Sequence, residues 1–136
     1  MCGCAQTIKF KLKKVSVLNH RLKDLNILLN EIEINCINAC NDCARSCLQC
    51  SSGCLKESNV KDMVGCIALD MECANICHLV ATSIAQGHSH TFKVCKLCLD
   101  ILEKCVSECS KHSMAHCKKC VQACNDCASA CRAMLH

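Results

Sequence analysis

From Cys36 to Cys54 the chain reads CINACNDCARSCLQCSSGC. Its cysteines stand at 36, 40, 43, 47, 50 and 54, in steps of 4, 3, 4, 3 and 4. Those steps keep every thiol on one side of a helix with about 3.6 residues per turn. The residues between are mostly polar or small, among them Asn38, Asn41, Asp42, Arg45, Ser46 and Gln49. The segment therefore reads as a helix with one thiol face and one wet face.

The same pattern returns near the C-terminus. Cys117, Cys120, Cys124, Cys127 and Cys131 follow steps of 3, 4, 3 and 4, with Lys118, Lys119, Gln122, Asn125 and Asp126 between them. Cys40-Asn-Asp-Cys43-Ala recurs as Cys124-Asn-Asp-Cys127-Ala, which suggests an internal repeat of helix pairs. Two middle segments use the stripe with substitutions. One carries Met63, Cys66, Cys73, Cys77, Val80 and Ile84, with Leu69 or Asp70 filling the missing step. The other carries Cys95, Cys98, Leu102, Cys105, Cys109 and His112.

Breaks fall between these stripes. Asn59 can N-cap the second helix with Asp62 three residues on, Gly87 can end it, and Ser113 can cap the fourth. The expected helices are 34–56, 60–86, 90–111 and 114–134. Four helices of similar length joined by short loops favour an all-α, antiparallel four-helix bundle. Residues 1–33 differ: Ile8, Phe10, Leu12, Val15 and Val17 alternate with Lys or Ser, then Leu18, Leu22, Leu25, Leu29 and Ile32 follow helical spacing. They read as a basic N-terminal arm or extra helix ahead of a bundle over 34–136, a continuous helix from 18 to 56 being the alternative.

Composition agrees with long helices around an unusual core. The 136 residues suit one domain, but they include no Trp or Tyr and only Phe10 and Phe92. Of the 51% counted as hydrophobic, 20 residues are Cys. Free cysteine packs as a small hydrophobe, and its reactivity usually decides where it is kept. Proline is absent and Gly occurs only at 3, 53, 65 and 87, so little interrupts the helices.

A secreted disulfide scaffold should carry a signal peptide, but Lys9, Lys11, Lys13 and Lys14 break up the N-terminal apolar residues. No segment reads as the ~20 apolar residues that span a membrane. The expectation is a cytoplasmic protein with reduced thiols and no membrane partner. Residues 1–30 hold six basic residues and one acid, whereas 31–136 hold ten basic and eleven acidic. The basic character thus belongs to the arm, which reads as a solvated segment, and no nucleic-acid partner is expected.

Thiols at i,i+3 and i,i+4 have Cβ atoms ~5–6 Å apart and can lean toward one ion. Cu(I) is the soft first-row ion that thiolates favour. If each thiolate bridges two Cu(I) ions and each ion has about two thiolates, the filled core is neutral, which buried charge demands. Zn²⁺ held by four thiolates leaves each site at −2, so zinc is disfavoured. Disulfides fit adjacent helical turns poorly. Iron–sulfur spacing is missing. The C-x2-C pairs are steps of the helix period rather than redox motifs.

Antiparallel neighbours collect Met63, His112, Met114 and His116 with Cys54, Cys66, Cys109 and Cys117 at one end. At the other they collect Val80, Ile84, Phe92 and Met134 with Cys36, Cys95 and Cys131. The first end, with softer and neutral donors, is the expected mouth for copper, through Met63, His112 and His116. The second is expected to be sealed by aliphatic and aromatic bulk. His20, His78, His88 and His90 read as solvated. Cys2 and Cys4 form a C-x-C that either captures metal or is a tail.

The run from Cys36 to Met134 resembles the bacterial copper storage proteins. The resemblance rests on Cys36-x3-Cys40-x2-Cys43-x3-Cys47-x2-Cys50-x3-Cys54, on Cys66 with Asp70 and Cys73-x3-Cys77, and on Cys95-x2-Cys98 with Cys105-x3-Cys109. It rests also on His116-Cys117-x2-Cys120-x3-Cys124-x2-Cys127-x3-Cys131. It implies many Cu(I) ions lining the bundle interior, copper entering at one end, and tetramers. Without a twin-arginine signal the chain looks like the cytosolic branch, supplied by a copper chaperone or a small thiol. The N-terminal arm is its departure. A non-catalytic copper store or buffer is thus the leading reading. A thiol-redox protein, a detoxification protein for zinc or other soft metals, and a metal-responsive partner-binding protein are the alternatives.

Overall fold

The architecture follows from four thiol stripes sharing one interior. A computed structural model describes residues 29–136. Helix α1 spans Glu31–Leu55, a 3-10 turn spans Val60–Met63, and α2 (Val64–Gln86), α3 (Thr91–Cys109) and α4 (Ala115–Met134) follow. No strand occurs among the described residues. Each helix packs on its two neighbours, in the cycle α1–α2–α3–α4–α1, while the backbones across the diagonals stay apart. The short connections make every neighbour antiparallel, as expected of a bundle.

The boundaries differ from expectation in detail. Leu29 and Asn30 precede α1 without helical structure; the rest of the expected arm, with Cys2, Cys4 and His20, lies outside the described residues. Asn59 occupies the N-cap position of the 3-10 turn, but its side chain makes no capping bond. Its carbonyl instead accepts the Asp62 N–H at 2.9 Å. Ser113 does not cap α4 either: Met114 takes that place in an extended conformation, with no side-chain bond.

Gly87 ends α2 as expected. It adopts φ +66°, where its N–H reaches Ile84 O at 3.1 Å and the next N–H, from His88, reaches Ser83 O at 3.0 Å. That pair of bonds is the Schellman pattern, which needs a left-handed residue and therefore favours glycine.

All eighteen cysteines from Cys36 onward are fully buried and free. Met63, Ile84, Leu102 and Val80 are the largest buried apolar side chains. Phe92 departs from the expected seal, being 59% exposed. Thr91, four residues before Cys95, takes the inward step in its place and is buried. Val80 and Ile84 do fill their end of the core.

The stretch Val60–Gln86 is, by length and composition, apolar enough to cross a membrane, with a mean hydropathy of 1.4. Sequence reading did not anticipate this. The value comes chiefly from Ile67, Leu69, Ile76, Leu79 and Val80, with the thiols and alanines adding to it; 44% of the apolar window is buried within the bundle, where the stripe from Cys66 to Ile84 faces the other helices.

Candidate metal centre

The thiols form a continuous column rather than scattered pairs. Between α1 and α4 they meet as an antiparallel ladder: Cys36–Cys131 at 3.9 Å, Cys40–Cys127 at 3.6 Å, Cys43–Cys124 at 3.7 Å, Cys47–Cys120 at 3.6 Å and Cys50–Cys117 at 3.8 Å. The two Cys-Asn-Asp-Cys-Ala runs face each other through the second and third rungs, so the repeat seen in sequence is paired in space.

The α2 and α3 thiols close the column. Cys73 lies 3.9 Å from Cys43 and 4.0 Å from Cys124, and Cys77 lies 3.8 Å from Cys127. Sulfur thus spans the α2–α4 diagonal that the backbones do not. Cys105 reaches Cys120 at 4.0 Å, and Cys66 approaches Cys109 at 2.8 Å. Small side chains on all four helices are what let sulfurs meet on the axis, since a larger residue at these positions would push the helices apart.

Two groups of four thiols have all their sulfurs within 4.8 Å of one another: Cys43, Cys47, Cys73 and Cys124, and Cys47, Cys105, Cys120 and Cys124. They share Cys47 and Cys124, so sulfur that serves one group also borders the next. Bridging thiolates need this arrangement.

Asp70, left open with Leu69 by the sequence, turns inward and is fully buried. Its Oδ1 accepts from the thiols of Cys120 at 3.1 Å, Cys105 at 3.4 Å and Cys109 at 3.5 Å, and its Oδ2 from Cys66 at 3.6 Å. Burial pushes its carboxyl up to about 8, and repulsion from Cys120 adds to the shift. The close hydrogen bond with Cys109 draws the Cys66 thiol down, whereas burial pushes Cys54 and Cys117 up. Such a carboxyl among thiols suits cation binding, because like a thiol it can give up its proton as an ion arrives.

The three residues expected at the mouth lie at graded depth. Met63 is fully buried, the His112 side chain is 12% exposed and that of His116 23%. His116 directs Nδ1 at Cys117 (3.4 Å), Cys50 (3.5 Å) and Cys54 (3.9 Å). With those thiols it forms a compact four-donor group. His112 Nε2 is buried without a hydrogen-bond partner, with Glu108 Oε1 at 3.8 Å. His78, His88 and His90 are exposed, as expected.

Residues 29–136 match the family described as copper storage protein. The chain belongs to that family. Among solved members, the Cu(I)-bound copper storage protein BsCsp3 of Bacillus subtilis is 42% identical, with a TM-score of 0.74 over 78% of this chain and all of that one. A cytosolic copper storage protein from Streptomyces lividans, with five coppers, is 33% identical, with a TM-score of 0.75 over 77% of this chain and 92% of its own. An uncharacterised cysteine-rich protein, YhjQ of Bacillus subtilis, is 44% identical over 56% of this chain and 70% of its own length. The all-α bundle is therefore shared with these solved members.

Proposed function

We propose that this chain is a cytoplasmic store for Cu(I), held on the eighteen core cysteines from Cys36 to Cys131. One observation carries the reading: every one of those thiols is buried and free, and sixteen of them, all but Cys95 and Cys98, stand in a column whose contacting sulfurs lie 2.8–4.0 Å apart. A thiol loses its proton on binding metal. One Cu⁺ entering for each H⁺ leaving keeps the interior neutral, so the core can fill without building up charge. The empty state is equally neutral, with thiols packed as small hydrophobes.

The named coppers in the Bacillus and Streptomyces relatives support the metal, and the cytosolic description of the latter supports the compartment. A redox enzyme would need an exposed, low-pKa cysteine. Every described cysteine is fully buried. We assign no catalytic role. Delivery by a copper chaperone or a small thiol complex, and assembly into tetramers, complete the reading.

Copper enters at the Met63/His112/His116 end in this account, because depth increases there from His116 to Met63 along imidazole and thioether donors. Met63→Ala and His112→Ala should slow loading without lowering capacity, as followed by stopped-flow transfer from a Cu(I)–chelator complex; unchanged rates would remove the mouth from this end. The storage reading is tested by native mass spectrometry after anaerobic exposure to excess Cu(I) and Zn²⁺ together. Many coppers per chain support it, and one or two ions of either metal contradict it.

A further inference from the structure

Glu57 and Gly53 belong to no thiol stripe, yet both converge on His116. The Glu57 Oε1 lies 3.0 Å from His116 Nε2. The carboxylate is held by the turn after α1, where the Glu57 N–H donates to Cys54 O at 3.2 Å and the Lys56 N–H to Gly53 O at 3.1 Å. An ionised carboxylate can only accept, so Nε2 must carry the proton. In the neutral ring this leaves Nδ1 with a free lone pair. That lone pair faces the sulfurs of Cys50, Cys54 and Cys117.

Gly53 supplies the space. A Cβ built there would stand 2.7 Å from His116 Cδ2 and 2.8 Å from Cγ. The imidazole therefore lies flat against the bare α1 backbone, and any side chain at 53 must displace it. A glycine within a helix costs about 1 kcal/mol relative to alanine, and here the ring is its evident reason.

We propose that Glu57 and Gly53 are positioning residues that lock His116 as its Nε2–H tautomer, with Nδ1 turned onto Cys50, Cys54 and Cys117 as a preformed Cu(I) acceptor. The inference rests on the Cu(I) storage reading, but its structural half does not need copper. A carboxylate that holds the far nitrogen of a ligating histidine typically contributes 10–100-fold to metal affinity. As a plain surface ion pair, the same contact would contribute little.

The test uses full-length reduced protein carrying Glu57→Leu, Glu57→Gln or Gly53→Ala, with circular dichroism to confirm folding. Imidazole ¹⁵N signals of the apo protein report the His116 tautomer. The same signals, followed during Cu(I) titration against a competing chelator, report occupancy at that nitrogen. Glu57→Gln keeps an acceptor oxygen and should preserve the tautomer and most of the affinity. Glu57→Leu should give a tautomer mixture and weaken His116 occupancy about tenfold or more, and Gly53→Ala should weaken it too. An unchanged tautomer and affinity in Glu57→Leu overturns the inference, as does a Gln variant as impaired as Leu. If wild-type protein takes up no Cu(I), the storage reading fails, while the apo signals still decide whether Glu57 sets the tautomer.

Discussion

The two ends of the bundle are built on the same thiol ladder and differ in what surrounds it. Near Cys50 and Cys117 the sulfurs share space with the His116 nitrogen, the Asp70 carboxylate and buried Met63. Near Cys36 and Cys131 they are accompanied by Val80 and Ile84, and the neighbours that push the Cys95 thiol up are the thiols of Cys131 and Cys36. One end can exchange protons and charge with an arriving ion. The other offers sulfur in an apolar enclosure. In the proposed reading, holding copper needs only the ladder, whereas admitting it needs the mixed donors.

The Val80/Ile84 end should tolerate loss of bulk in function but not in stability. Ile84→Ala is expected to destabilise the apo protein by about 2–5 kcal/mol, the range for truncating a large buried aliphatic residue, as measured by urea unfolding under reducing conditions. Copper capacity should be retained and the loading rate unchanged. Faster loading in this variant would make the far end a route and break the contrast.

At the other end, Asp70 introduces a buried carboxyl that the Cys36/Cys131 end lacks. Its folded carboxyl titrates near 8, against an ordinary value of 3.8. The folded state therefore binds this proton more tightly than the unfolded chain. Its contribution to stability is full below pH ~3.8 and is lost as pH rises toward 8. Apo protein should thus lose on the order of a few kcal/mol across that window. Asp70→Asn, which keeps an oxygen acceptor, should flatten the profile. A wild-type profile no steeper than that of Asp70→Asn would show the carboxyl to be unshifted.

The smallest effect is expected outside the core. Gly87→Ala places a side chain at φ +66° in the turn between α2 and α3. It should cost about 1–2 kcal/mol, read as a lower midpoint in the same urea titration, with copper binding unaltered. A change in capacity would tie this turn to the metal core.

The ladder was legible because a helical period and a single residue type carry it; that the recurring runs Cys40–Ala44 and Cys124–Ala128 face each other came from the structure. What was not legible depended on partners distant in sequence. Both Leu69 and Asp70 lie one helical step from Cys66, and only Cys105, Cys109 and Cys120 on other helices show which is enclosed. Thr91 and Phe92 pose the same choice before Cys95, and there the aromatic side chain faces out. Asn59 and Ser113 have the right chemistry for caps without the geometry. Glu57 left no local signal, since its partner is 59 residues away. Gly53 did leave one, as a glycine inside a helical stripe points to a close approach.

The central claim is that the thiol column is filled by Cu(I). Anaerobic titration of fully reduced protein with Cu(I), in the presence of a competing chelator, tests it most directly. The account predicts tight uptake that continues toward one ion per core cysteine, with thiol protons released in step. Saturation at one or two ions, with the remaining thiols still reactive, would contradict it.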